Sequence, residues 1–175
     1  FPAAAMDEAA CGCAGCQAGS LKEHNRIALD RELGAIRRFI AAGQLRELAE
    51  ARCRLSAPHV AIIRHLDNRF SFIEPYTPVV RGGTLKANSG ESLRRPEVIR
   101  FMERVVNRYL PPATAEVAVL LPCSAKKPYS LSQSHRRFQQ AVAGRAHELV
   151  VTSPLGIVPR ELETVYPAMH YDVPV

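Results

Sequence analysis

The sequence predicts a mixed chain, α+β overall with an α/β second part, and three observations predict it. Apolar residues recur at helical spacing through most of the first part, periodicity lapses at 81–92, and two short apolar runs then flank a helix-period segment. The expected organisation is therefore a helical part at 1–80, a linker at 81–92 and a small α/β domain at 93–175. Hydrophobic residues at 47% and charged residues at 23% match ordinary globular usage and exclude intrinsic disorder. No run approaches the roughly 20 apolar residues of a membrane span, and no basic-then-apolar signal pattern opens the chain. The expectation is a cytoplasmic protein with no membrane partner. Because the chain opens on Phe1 and closes on Tyr171-Asp172-Val173-Pro174-Val175, it is expected to be a piece of a longer protein.

The first part begins with three of the five cysteines crowded as Cys11-Gly-Cys13-Ala-Gly-Cys16. Five cysteines are too few for a disulfide scaffold, and C-x-C-x-x-C aims three thiolates at one centre while Gly12 and Gly15 let the backbone wrap it. His24 supplies the nearest fourth ligand, so a closed structural zinc site of three sulfurs and one imidazole is expected, in preference to a free-thiol loop or a redox pair. Four protein ligands leave no open position for catalysis. Leu21, Ile27, Leu29, Leu33, Ile36, Phe39 and Ile40 then read as a helix stopped at Gly43, Leu45 to Leu55 as a second, and Val60 to Leu66 as a third opened by Pro58. Cys53, His59 and His65 are expected to be packing or surface residues rather than ligands.

Charge is uneven as well. The whole chain carries 23 Lys+Arg and 17 Asp+Glu, a formal +6, and residues 1–110 hold 17 of those basic and 12 of those acidic side chains. Most of the excess is arginine, whose planar fork suits phosphate, so a nucleic-acid partner is admitted alongside the plain reading of solvated helices.

After the linker, Pro96 opens a helix with Val98, Ile99, Met102, Val105, Val106 and Tyr109 on its apolar side, ending before Pro111-Pro112. Val117–Leu121 and Leu149–Thr152 read as strands covered on both faces, with a helix between them opening after Ser132 and stopping at Gly144. Strand, helix, strand at this spacing predicts a parallel βαβ unit, whose functional loops lie at the carboxyl ends of its strands. There stands the most polar loop of the chain, Pro122-Cys123-Ser124-Ala125-Lys126-Lys127-Pro128-Tyr129-Ser130-Leu131-Ser132-Gln133-Ser134-His135. Cys123 near two lysines and a helix N-terminus is a candidate nucleophile, and His135 in the first helical turn is disfavoured as an imidazolium, hence a candidate base or hydrogen-bond partner. The plainer alternatives make Ser132 an N-cap, His135 a surface residue and Cys123 a small buried apolar group. His147, just past the helix terminator, is expected to be exposed, and the Arg160-Glu161 pair to be structural rather than a substrate site.

Two family resemblances cover most of the chain. Cys11 to Cys16, His24-Asn25 and the stretch 31–50 resemble the zinc-binding end of archaeal tRNA-guanine transglycosylases and their paralogues, with a shorter Cys16–His24 loop and without the family's barrel and aspartate nucleophile. Pro122-Cys123, Lys127-Pro128-Tyr129, Ser132 and His135 match the P-C-x-x-x-K-P-Y-x-x-S-x-x-H pattern of the archaeosine synthase family, and 152–163 and 166–174 also resemble its core domain.

The resemblance implies an archaeal tRNA-modifying transferase that adds L-lysine to the nitrile of 7-cyano-7-deazaguanine in the D-arm of tRNA, a radical-SAM partner enzyme then cleaving the adduct. Zinc at Cys11, Cys13, Cys16 and His24, and catalysis by Cys123, Lys127, Tyr129, Ser132 and His135, are what it implies for the sites. A homodimer is admitted as a further assembly. In the expected chemistry, Cys123 forms a thioimidate that the lysine amine displaces, His135 handles protons, and Lys127 or Tyr129 stabilises developing charge; direct attack by lysine is the alternative. Two other classes of function stand beside it: a zinc-dependent tRNA-binding module without chemistry, and a remnant of a tRNA-guanine transglycosylase.

Overall fold

A computed structural model describes residues 11–173; the end residues Phe1 and Pro174-Val175, on which the expectation of a longer protein was based, lie outside the described residues. The chain divides into two compact units, Phe1–Leu48 and Ala49–Val175.

In the first unit, a one-turn helix α1 (Ala14–Gln17) leads into the long α2 (Leu21–Ala41). Ser20 starts α2 by accepting from the Glu23 backbone N–H at 3.3 Å, and the chain leaves it through Gly43 at φ 65, a left-handed position that a glycine takes without Cβ strain. Helix α3 (Leu45–Cys53) runs across the boundary at Leu48, and the second unit continues with α4 (Ala57–Asp67) and the short α5 (Phe70–Ile73), so the expected succession of helices is present, with Pro58 in the first turn of α4. His59 and His65 are exposed on α4, and Cys53 is buried with its thiol donating to the Glu50 carbonyl at 3.2 Å.

The second unit departs from the expected linker at 81–92. Leu85–Lys86 forms β1, paired parallel with β5 (Tyr171–Asp172), and Gly90–Arg94 forms a 3-10 helix. A fully buried Arg95 ties this stretch to Glu50, donating to both of its carboxylate oxygens (2.8 and 2.7 Å) and to the Lys86 carbonyl (2.9 Å), while Ser92 donates to Glu50 at 2.7 Å. Gly, Ser and Asn there serve tight turns inside a folded unit rather than a tether.

Helix α6 (Pro96–Arg108) follows, then β2 (Ala118–Pro122), α7 (Gln133–Val142) and β3 (His147–Thr152). Strands β2 and β3 pair parallel, Leu121 beside Val150, which realises the expected βαβ unit. A strand not expected from the sequence, β4 (Gly156–Pro159), pairs antiparallel on the far side of β3 in the order β2-β3-β4. Leu121, Val150 and Val158 point to one face and are buried. On the other face Leu120 is 63% exposed and Val151 46%, so β2 is an edge strand with one open face, contrary to the expectation of cover on both. The core of this unit joins the buried Val150 and Val158 to Leu85, Val98, Phe101, Tyr129, Leu155 and Tyr171.

Candidate functional site

The metal-ligating residues come together in the first unit. Ligand atoms of Cys11, Cys13, Cys16 and His24 all lie within 4.8 Å of one another, and His24 Nδ1 faces the sulfurs of Cys13 at 3.3 Å and Cys16 at 3.1 Å. Ligands around a tetrahedral zinc with bonds of about 2.0 to 2.3 Å stand roughly 3.5 to 3.8 Å apart, so the donor set fits such an ion with small adjustment. The shorter loop between Cys16 and His24 therefore still delivers the histidine. It does so through Gly15: a Cβ there would lie 2.3 Å from the His24 backbone nitrogen, so only glycine lets α1 approach the first turn of α2.

Electrostatics in this cluster are those of competing thiols. The Cys16 backbone N–H holds the Cys13 thiol down to about 6, whereas burial and the neighbouring sulfurs push Cys16 up to about 12. A divalent cation relieves that competition by taking all three as thiolates.

The loop after β2 makes the second cluster. Cys123 stands exposed just past the carboxyl end of β2, which removes the alternative of a small buried apolar group. Lys127 Nζ lies 4.0 Å from the centre of the Tyr171 ring. Burial pushes that ammonium below the usual lysine range, while negative charge at Asp172 and Cys123 works against the shift. Tyr129 is fully buried and its hydroxyl lies 2.5 Å from the Tyr171 hydroxyl, which also contacts Thr152 Oγ1. Burial raises both phenols, Tyr129 the more strongly, so they act as neutral hydrogen-bonding groups.

Ser132 and His135 hold the loop in place. Ser132 caps α7, accepting from the His135 backbone N–H at 3.2 Å, and its hydroxyl lies 3.2 Å from that of Ser134. His135 is fully buried, not at the surface. A carbonyl can only accept and a guanidinium only donate, so its Nε2–H donates to the Pro122 carbonyl (2.9 Å) and its Nδ1 accepts from Arg160 (2.9 Å). Burial, then the Arg160 charge, holds this imidazole below its ordinary pKa, which keeps it neutral as expected. Both ring nitrogens are thus engaged, and through the Pro122 carbonyl the ring fixes the residue before Cys123.

Arg160 is the hub of this support. It donates to Glu148 through Nε at 2.8 Å and through Nη2 at 2.5 Å, to Glu163 at 3.0 Å and to His135. Glu163 in turn accepts from the Ser130 backbone N–H at 3.0 Å, which pins the middle of the loop. Glu161 accepts from the Tyr109 hydroxyl (2.8 Å) and meets His147 Nε2 (3.2 Å). His147 is consequently buried on β3, correcting its expected exposure. Sequence reasoning passed over Tyr171, Thr152, Glu148 and Glu163 as site components, because each reaches the loop from a strand or turn far along the chain and no short spacing reveals it.

The chain matches known proteins in both parts. The family model described as "Domain of unknown function (DUF5591)" covers residues 98–175. Archaeosine synthase subunit alpha of Methanosarcina acetivorans is 49% identical over 158 residues, 89% of this chain and 25% of that protein. Archaeosine synthase of Haloferax volcanii is 45% identical over 174 residues, 95% of this chain and 30% of that protein. A tRNA-guanine(15) transglycosylase of Methanobrevibacter smithii is 32% identical over 162 residues, 88% of this chain and 24% of that protein. The chain thus spans between 24% and 30% of the length of these curated relatives.

Proposed function

The chain is homologous to archaeosine synthases along nearly its whole length, and on that premise we propose that it carries the lysine-adding chemistry of archaeosine formation on tRNA. The single observation that carries this reading is the juxtaposition of an exposed Cys123 with a partly desolvated Lys127 on a loop braced by buried groups. Higher identity to archaeosine synthases than to the transglycosylase favours it over a transglycosylase remnant.

A nitrile carbon is a weak electrophile that a soft thiolate can capture. Cys123 attacks that carbon, forming a C–S bond while the nitrile nitrogen takes a proton, and Lys127 is placed to give it. The amine of L-lysine then adds to the thioimidate carbon, the C–S bond breaks, and the thiolate leaves with an amidine-linked lysine on the base. Lys127 is re-protonated by the proton the amine sheds. Tyr129, through Tyr171, holds the floor under Lys127; Ser132 and His135 are positioning residues that fix the loop and the Pro122 carbonyl. Zinc at Cys11, Cys13, Cys16 and His24 would be structural, since four protein ligands fill a tetrahedral shell. A radical-SAM enzyme would consume the adduct, and a homodimer is the assembly we propose for the whole protein.

Nucleoside mass spectrometry tests this directly. Nitrile-bearing tRNA is incubated with isotopically labelled lysine and either this chain or the chain grafted in place of the matching quarter of the Methanosarcina acetivorans relative. A lysine-sized mass gain that Cys123→Ala abolishes is expected. A gain that Cys123→Ser leaves unchanged would remove the covalent route; no gain with either protein would favour a tRNA-binding module without chemistry.

A further inference from the structure

A second feature lies away from the Cys123 loop. Arg100, Arg104 and Arg108 recur every fourth residue along α6 and so share one of its faces. They flank a trough of about 290 Å³ whose wall includes Val105, Val165 and Tyr166. The three guanidiniums differ in what they do. Arg100 is buried and spent: it donates to the Glu74 carboxylate at 2.6 Å and to the backbone carbonyls of Glu74, Thr77 and Pro78 at 2.9–3.0 Å. Arg104 and Arg108 are exposed, and neither has a hydrogen-bonding or ion-pair side-chain partner among the described residues. The acid that reaches this trough, Glu97, is buried and faces Arg81 at 3.8 Å, so it does not quench them.

Two uncommitted guanidiniums one turn apart, beside an apolar trough with an aromatic wall, make a place for an anion joined to a flat or apolar body. We propose that Arg104 and Arg108 grip a backbone phosphate of the RNA substrate, with the ribose or base of that nucleotide lying against Val105, Val165 and Tyr166. This rests on the reading above that RNA is the substrate, and it names the surface that holds it. A phosphate grip of this kind positions the substrate without reading sequence.

Salt-dependent binding of a fluorescently labelled tRNA transcript decides it. Losing the contact to one phosphate lowers the slope of log K against log salt by roughly 0.7–0.9, so Arg104→Gln/Arg108→Gln, which frees the single phosphate they share, should flatten the slope by about that much and weaken binding about fivefold near 0.15 M salt. Arg136→Gln/Arg137→Gln removes the same charge from the exposed face of α7, away from the trough, and should cost clearly less. Equal losses in the two double variants would reduce the effect to net charge and overturn the proposal. So would tight wild-type binding that Arg104→Gln/Arg108→Gln leaves unchanged, with lysine addition to tRNA intact. Absence of tRNA binding by the wild-type chain and by its graft in the Methanosarcina acetivorans relative would fell the RNA reading itself, and this proposal with it.

Discussion

Removing the Arg160 side chain separates a structural hub from a substrate-binding arginine. In Arg160→Ala, the Glu148 and Glu163 carboxylates, with side chains only 12% and 9% exposed, lose their counter-charge, and the buried His135 Nδ1 loses its donor. Breaking a buried ion pair by deleting one partner costs about 3–5 kcal/mol, and the orphaned imidazole belongs to the same network, so its loss is not simply added. For a unit of this size each kcal/mol lowers the melting temperature by about 3–5 °C, which predicts a drop of roughly 10–25 °C by circular dichroism. Replacing the whole network with neutral groups, Arg160→Met with Glu148→Gln and Glu163→Gln, should recover most of that loss, since a glutamine amide oxygen at position 163 still accepts from the Ser130 N–H. An arginine that bound the carboxylate of lysine would behave differently. Loss of lysine addition with melting within about 2 °C of wild type would refute the hub reasoning.

Two further perturbations test the supports of each cluster. Gly15→Ala drives a methyl to within 2.3 Å of the His24 backbone, so it should abolish stoichiometric zinc, read by elemental analysis, and reduce helical signal; full zinc content in that variant would contradict the close approach. For His135, the folded state holds the imidazole neutral while the unfolded chain titrates near pH 6.5, so the unfolded state binds the extra proton as pH falls. The stability that this adds is present above about pH 6.5 and is lost as pH drops towards the lower folded pKa. Urea midpoints at pH 7.5 and 5.5 should show a larger acid loss in wild type than in His135→Gln, and an equal loss in both would sink the assignment.

What the sequence made legible, and what it hid, follows from the range of the interactions. The ligand cluster was readable because its four residues fall within fourteen positions, and a short segment can meet itself with little chain to close. The βαβ unit was readable because apolar runs and a capped helix are local signals: Ser132 caps α7 where its position indicated. The linker expected at 81–92 failed for the opposite reason. Turn-forming residues mark where the chain bends but carry no trace of Glu50, thirty-odd positions earlier, which neutralises Arg95 and binds the segment into the second unit. Strand β4 was hidden because four residues ending in proline give too short a pattern, and only the edge of β3 makes them a strand. The same logic governs the loop site. The family resemblance named Cys123, Lys127, Tyr129, Ser132 and His135 as a set and gave His135 the protons; the hydrogen bonds of the structure divide the set another way. That division comes from the Pro122 carbonyl, Arg160 (held by Glu148 and Glu163) and Tyr171, which commit both nitrogens of His135 and the hydroxyl of Tyr129 to holding the loop. Cys123 and Lys127 are the two whose sulfur and Nζ have no hydrogen-bond partner among the described residues: the sequence pattern marks the set, and distant buried partners decide which of its members stay uncommitted.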